Sequence, residues 1–127
     1  MSSNWIQDVK DFHYKYNQLI KVIPEIPDNN VKYLRMKLIA EEYNEVMESL
    51  ISDDMIEIAD GIIDCIVVLI GTAISYGIDL KPIWDEIHKT NMKKVNKESG
   101  SSKVQKPVGW QKPNVYRCLT EQGMKRK

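Results

Sequence analysis

The sequence predicts an all-α protein. Apolar residues recur at spacings of three and four along four successive segments, which is typical of helices with one buried face. The third segment is apolar on nearly every side, which is typical of a helix at the centre of a bundle. No segment shows the sustained alternation of apolar and polar residues that marks a half-buried strand. With 127 residues, the chain has the length of one ordinary domain.

Four helices follow from this periodicity, over residues 5–21, 31–51, 54–76 and 80–94. Polar side chains that can accept hydrogen bonds from the first backbone amides precede each helix. The candidates are Ser3 or Asn4, Asp28 or Asn29, Ser52 or Asp53, and Asp79. Pro24 and Pro27 end the first helix, and Gly77 stops the third. Because the chain turns polar after residue 95, we divide it into a helical domain, residues 1–95, and an extended irregular tail or lid, residues 96–127.

The net charge of zero hides an uneven distribution. Residues 1–88 contain 7 basic and 16 acidic side chains, whereas residues 89–127 contain 11 basic and 2 acidic ones. An acidic body with a basic tail is found in proteins that bind nucleic acid through an arm. The same distribution is expected of a single site in which the acidic side chains bind metal and the basic side chains bind phosphate.

The sequence favours a cytoplasmic protein without a membrane segment. Cys65 and Cys118 have no partners at the spacing of a zinc site and form no disulfide framework, which indicates a reducing compartment. The first ten residues contain no apolar signal segment. The longest apolar stretch, residues 62–76, contains Asp64 and is shorter than the roughly 20 residues that span a bilayer.

The second helix carries carboxylates where core residues are expected. When its residues are placed at about 100° per position, Glu42 falls near the centre of the apolar face and Glu45 at its edge. Glu48 falls on the solvated side. The first two are therefore candidates for a buried function, and the third is an ordinary surface residue.

The third helix carries its acids in one narrow stripe that contains Glu57, Asp60 and Asp64. Buried carboxylates without partners are very costly, and residues 52–80 contain no lysine or arginine. Divalent cations can satisfy such a cluster, and Mg²⁺ prefers carboxylate oxygens.

The two helices together offer four carboxylates that could bind metal between them. The two pairs at i, i+3 spacing are Glu42 with Glu45 and Glu57 with Asp60. The alternative is that basic groups neutralise the acids. The candidates for that role are Lys32, Arg35, Lys94 and a partner chain. A di-iron centre is disfavoured because no Glu-x-x-His pair is present.

These acids and the segments after them resemble a known family, the MazG-like all-α nucleoside triphosphate pyrophosphohydrolases. EEYNE at 41–45 and EIAD at 57–60 are similar to its EExxE and ExxD elements. ADGIID at 59–64 and TNMKK at 90–94 resemble the ADGLxD and SNMxK segments of a subgroup that acts on deoxynucleotides such as dUTP. Thr90 replaces the serine of the last element and keeps its hydroxyl. The resemblance covers about residues 31–95.

The resemblance implies a four-helix MazG-like bundle that is completed by homodimerisation or assembles as a tetramer. It implies hydrolysis of nucleoside triphosphates between the α- and β-phosphates, with two or more Mg²⁺ or Mn²⁺ ions per site. The metal ligands would be Glu42, Glu45, Glu57 and Asp60. Glu41 would be a further ligand or the base that orients water. A dimer also follows from the third helix, since the other helices of a short chain cannot cover all its apolar sides.

Four further residues are candidates for substrate binding: Asn91, Lys94, Asp64 and Lys103. Lys94 would contact phosphate and Asn91 the base or sugar. Asp64 would bind the metal as an outer ligand or hydrogen-bond one of the residues that bind it directly. Lys103 and Lys106 would close over the phosphates as a lid, or would simply be solvated. For Lys94 the alternative is a helix C-terminal lysine that is favoured by the helix dipole. Trp110 or Tyr33 could stack on a base or simply pack.

The sequence leaves two rival functions open. One is a phosphoribosyl-ATP pyrophosphohydrolase of the same fold, which is not expected to carry the Asn91-Met92 element. The other is a non-catalytic metal-binding helical module whose tail binds nucleic acid. The tail lacks the interleaved aromatic residues of a single-strand binding surface, so nucleic acid is not the expected partner.

Overall fold

The computed structural model describes residues 4–95 and 104–125, whose regular structure is helical apart from one isolated β-bridge. It contains α1 (Trp5–Lys15), α2 (Asn29–Ser52), α3 (Met55–Ser75), α4 (Leu80–Asn91) and α5 (Val115–Glu121). The all-α prediction is therefore confirmed. The chain forms two compact units, Met1–Ile78 with α1 to α3 and Asp79–Lys127 with α4 and α5.

The first helix is shorter than its apolar periodicity predicts. It begins at the expected cap, where the side chain of Asn4 accepts from the backbone N–H of Gln7. It ends because Asn17 takes a left-handed conformation (φ 56°), and the N–H of Gln18 then donates to the carbonyl of His13 at 2.8 Å. The chain beyond runs along the C-terminal end of α3, where the N–H of Lys21 donates to the carbonyl of Ile74.

A two-residue link joins α2 to α3, and its two aspartates have different roles. Asp53 ends α2 in a left-handed conformation (φ 56°). Asp54 caps α3, and its side chain accepts from the backbone N–H groups of Ile56 and Glu57. The predicted caps, Ser52 and Asp53, were therefore one or two residues too early. Gly77 stops α3 as predicted, with φ 72°.

The first unit contains a buried polar cluster where its three helices meet. Arg35 of α2 is 4% exposed and donates to the hydroxyl of Thr72, the amide oxygen of Gln18 and the carbonyl of Val68. His13 of α1 is 2% exposed, and its Nδ1 lies 3.2 Å from the carbonyl oxygen of Leu19. Both side chains lie against Gly71, which has no side chain to displace them.

We expect the buried His13 to make the protein sensitive to acid. Burial, with a contribution from the nearby Arg35 charge, lowers the pKa of His13 below its ordinary value of 6.5. Below pH 6.5 the unfolded chain therefore binds a proton that the folded chain excludes, and the free energy of unfolding falls as the pH falls. Urea titrations of wild type and His13→Asn between pH 7 and 5 should show a shallower decline in the variant. His88→Asn is the matched control, since His88 is exposed, and equal slopes in all three proteins would contradict the prediction.

We expect Gly71→Ala to destabilise the protein by about 1–3 kcal/mol. A Cβ at this position would lie 2.6 Å from Nη2 of Arg35 and 2.7 Å from Nε2 of His13. Both side chains are buried and hydrogen-bonded, so they cannot move without losing those bonds. Gly61→Ala is the helical comparison, because its Cβ would lie 3.3 Å from the Cα and Cβ of Val46, a tight contact that needs a smaller shift than the overlap at Gly71. Chemical denaturation should show Gly71→Ala to be the less stable variant, and the reverse order would contradict this packing at Gly71.

By length and composition alone, α3 could cross a membrane. Core helices of soluble proteins can be equally long and apolar. Charged residues within a membrane span are rare and costly, whereas α3 carries Glu57, Asp60 and Asp64. It also packs against α2 and α1, so its composition fits the central helix of a soluble protein.

In the second unit, the tail runs back along α4, and hydrogen bonds hold the two segments together at several positions. Val95 and Gln105 exchange two backbone hydrogen bonds, at 2.8 and 2.7 Å. Trp110 donates from Nε1 to the carbonyl of Thr90 at 2.7 Å. Nearer the start of α4, the side chain of Gln122 bonds both backbone groups of Asp79. The short helix α5 was not expected from the sequence, since the tail was predicted to be irregular.

Candidate metal centre

Three carboxylates of α2 and α3 come together in the first unit. One oxygen from each of Glu42, Glu45 and Asp64 can be chosen so that all three lie within 4.8 Å of one another. Glu42 and Asp64 are half-buried, whereas Glu45 is exposed. Adjacent ligands of one octahedral Mg²⁺ ion, each bonded at about 2.1 Å, lie about 3 Å apart, and opposite ligands lie about 4.2 Å apart. Rotation of these side chains toward one another would bring all three oxygens onto one ion.

The other two predicted ligands lie on α3 between this trio and the start of the helix. Asp60 lies one turn before Asp64 on α3, and its negative charge raises the pKa of Asp64. Glu57 lines an open cleft of about 380 Å³ together with Glu45. The remaining lining residues are Glu48, Ser49 and Ser52. The structure thus brings Asp64, expected only as an outer residue, beside Glu42 and Glu45, while Asp60 and Glu57 lie nearer the start of α3.

A close approach of the two helices places these acids together. Gly61 of α3 is buried against Val46 of α2, and a Cβ at Gly61 would lie only 3.3 Å from the Cα of Val46. Val46 directly follows Glu45, and Gly61 directly follows Asp60. The contact point between the helices is therefore adjacent in sequence to the acids, which is why the carboxylates of both helices converge.

The electrostatics of the cluster favour the binding of a cation. Burial raises the pKa of Glu42, and the charges of Glu45 and Asp64 raise it further. Burial and the neighbouring Asp60 raise the pKa of Asp64. The same negative field reaches Cys65, whose pKa is raised by burial and then by Glu42 and Asp64. The ionised form of each carboxyl group is thus disfavoured by its negative neighbours, and a bound divalent cation would instead favour it.

The described residues do not supply a cation of their own to this cluster. Among residues 4–95 and 104–125, no ion pair involves any of its acids. The lysines and the arginine proposed to neutralise it are engaged elsewhere. Arg35 binds Thr72, Gln18 and Val68, while Lys32 and Lys94 lie over the rings of Tyr33 and Trp110. Moreover, Oε2 of Glu42 is buried without a hydrogen-bond partner. The donor set and this orphaned oxygen both fit a hard divalent ion.

The remaining predicted residues occupy different surroundings. Glu41 precedes Glu42 and is exposed on α2. Asn91 is exposed at the end of α4, and Lys94 is half-buried three residues later. Lys103 lies outside the described residues.

Sequence reasoning missed Glu86, a buried carboxylate in the middle of α4. It is 9% exposed and accepts from the backbone N–H of Asn114 at 2.8 Å and from Arg117 at 3.2 Å. The bond from Asn114 and that from Lys89 hold the pKa of Glu86 below its usual range. Glu86 therefore fixes the tail to α4 and is not a ligand candidate. Periodicity gave no signal of it, because its partners lie about 30 residues downstream.

The second unit also contains a basic cavity of about 480 Å³ that Glu86 helps to line. Its positively charged lining residues are Lys89, Lys93, Lys112 and Arg117. In sequence the second unit carries 12 basic and 5 acidic residues, whereas the first carries 6 basic and 13 acidic ones. The division into units therefore follows the division of charge.

Comparison with known protein families identifies the family of this chain. The model of the phosphoribosyl-ATP pyrophosphohydrolase family matches residues 9–91, which is more than half of the chain. The matched segment includes the trio Glu42, Glu45 and Asp64, together with Asn91, and ends before the tail. No curated protein matches the chain significantly.

Proposed function

The chain belongs to the phosphoribosyl-ATP pyrophosphohydrolase family, and from this premise we propose that it releases pyrophosphate from a nucleoside or deoxynucleoside triphosphate. Its reaction class is the hydrolysis of a phosphoanhydride bond of a nucleotide. The observation that carries the proposal is the trio Glu42, Glu45 and Asp64, with the orphaned oxygen of Glu42 among them. An acidic cluster of this kind repels a triphosphate unless metal ions accompany it.

We assign the metal to Glu42, Glu45 and Asp64, with Glu57 and Asp60 as further ligands when two or more ions are bound. Bound Mg²⁺ or Mn²⁺ supplies positive charge that offsets the carboxylates and polarises the phosphate oxygens. Glu41, adjacent to the trio and exposed, accepts the proton of the attacking water. Water oxygen bonds to the α-phosphorus, the bond from that phosphorus to the bridging oxygen breaks, and pyrophosphate leaves with the bonding electrons. Asn91 and Lys94 bind the nucleotide, with Lys94 on its phosphates.

A nucleoside triphosphate is favoured over phosphoribosyl-ATP by the segment at the end of α4. Thr90, Asn91 and Met92 resemble the SNM element of the deoxynucleotide-acting subgroup. Thr90 is buried and bonded to the tail through its carbonyl, while Asn91 and Met92 are exposed. Phosphoribosyl-ATP is the second candidate, because the matching family carries its name.

The deciding experiment measures pyrophosphate release from the common NTPs and dNTPs, dUTP and phosphoribosyl-ATP, with and without Mg²⁺. We expect Mg²⁺-dependent release from one or several triphosphates and little from phosphoribosyl-ATP. Preferred release from phosphoribosyl-ATP would assign the second candidate function. No release from any compound would refute the proposed function, as would release that persists without divalent metal.

We also propose that the protein is a homodimer. Several large apolar residues of α3 remain exposed in the single chain, including Ile62 at 45%, Ile63 at 49% and Leu69 at 53%. A second copy would cover this face. Sedimentation equilibrium distinguishes the dimer from a tetramer and from a monomer. We place the protein in the cytoplasm, and we expect neither membrane nor nucleic acid among its partners.

A further inference from the structure

Trp110 is the residue through which the tail meets the end of α4. Its indole N–H donates to the carbonyl of Thr90 at 2.7 Å, and its own backbone N–H closes a turn with the carbonyl of Pro107. Just beyond Thr90, the chain pairs with the tail through Val95 and Gln105. The ring is therefore fixed relative to the segment that contains Asn91 and Lys94.

Two lysines from different parts of the second unit share this ring. Nζ of Lys94 lies 5.2 Å from the ring centroid, and Nζ of Lys106 lies 5.1 Å from it. Both distances are within the range of cation–π attraction, for which tryptophan is the best partner. No ion pair formed by the described part of the chain involves either lysine. Two like charges held on one ring, with no ion pair to a described carboxylate, favour the binding of an anion.

We propose that Trp110 is a positioning residue that holds Lys94 and Lys106 as a paired binding site for the phosphate chain of the nucleotide. This inference rests on the proposed function and extends it, since it assigns roles to Trp110 and Lys106 that the family match does not reach. Flexible lysines lose rotamer freedom when they bind a ligand. Lysines already held on the ring lose less of it. Trp110 acts through the lysines and does not stack on the base, because its N–H and its ring are already engaged.

The kinetic test compares Trp110→Leu, Trp110→Phe and the double variant Lys94→Gln/Lys106→Gln. We expect Trp110→Leu to raise KM for the best nucleotide about five- to tenfold with kcat nearly unchanged. Trp110→Phe should raise it about twofold, because the ring face remains. In the Lys94→Gln/Lys106→Gln background, Trp110→Leu should cause no further rise in KM. Trp84→Leu is the matched control, since Trp84 is 70% exposed on α4.

Several results would overturn the inference. One is an equal rise in KM on removal of Trp110 whether or not the two lysines are present. A second is an unchanged KM in Trp110→Leu, and a third is a loss confined to kcat. A residue with only a structural role would give these results. Thermal melting reports whether each variant is folded. If Trp110→Leu does not fold, the same comparison is made with Trp110→Phe, whose rise in KM must again disappear in the background without the lysines.

A binding measurement separates this inference from the proposed function. In a Trp5→Phe/Trp84→Phe background, Trp110 is the remaining tryptophan, and its emission is followed as tripolyphosphate is added without metal. We expect a saturable change that weakens with salt and disappears in Lys94→Gln/Lys106→Gln. If this holds while no nucleotide is hydrolysed, the proposed function fails and the phosphate site stands. If nucleotides are hydrolysed but neither KM nor emission responds, the inference alone fails.

Discussion

Replacing Glu42 by glutamine is expected to slow pyrophosphate release by about 10³-fold, since metal supplies several kcal/mol to phosphate chemistry. The same change should make the metal-free protein more stable. Oε2 of Glu42 is buried without a partner, and the charges of Glu45 and Asp64 oppose that of Glu42. Glutamine removes one of the opposing charges and can donate to a neighbouring carboxylate. We therefore expect the free energy of unfolding to rise by about 1 kcal/mol without metal.

The two effects are measured together by activity assays and by thermal melting with and without Mn²⁺. Wild-type protein should melt at a higher temperature when Mn²⁺ is added, because a ligand that binds only the folded state stabilises it. Glu42→Gln should begin more stable and respond weakly to the metal. Glu121→Gln is the control, since it makes the same chemical change at the exposed end of α5. A variant that is less stable than wild type without metal, and that retains activity, would mean that Glu42 has an ordinary structural role.

The stripe of acids could be predicted from the sequence because burial imposes a helical period on apolar residues. Glu42 stands where a core residue is expected, and Asp64 shares a face with Glu57 and Asp60. Which member of the stripe faces Glu42 depends on where the two helices touch. The contact of Gly61 with Val46 sets that position, and no periodicity encodes it. For this reason Asp64 was assigned an outer place, although the structure brings it beside Glu42 and Glu45.

The end of α1 shows a second limit of periodicity. Ile20 and Ile23 continue the apolar spacing of the helix, yet the helix has ended five residues before Ile20. A left-handed Asn17 redirects the chain, and the following residues then pack against α3 without being helical. Apolar spacing reports which residues are buried and not which backbone conformation buries them. Similarly, the tail is ordered by Glu86 and Trp110 through bonds to residues 20 to 31 positions away, and no local pattern could predict them.

Replacing Glu41 by glutamine is expected to lower kcat by about 10²–10⁴-fold while the metal still binds, because Glu41 is proposed to act as the base. Glu41 and Glu42 are neighbours in sequence, but the first is exposed and the second has a buried oxygen. Glu42 is also one of the three acids whose oxygens converge, and Glu41 is not, so we assign the ion to Glu42 and the proton of the attacking water to Glu41. Glu41→Gln should therefore retain the rise in melting temperature on addition of Mn²⁺ that Glu42→Gln loses. If both variants lose this response, Glu41 is a further ligand. If Glu41→Gln alone loses the response, the two roles are reversed.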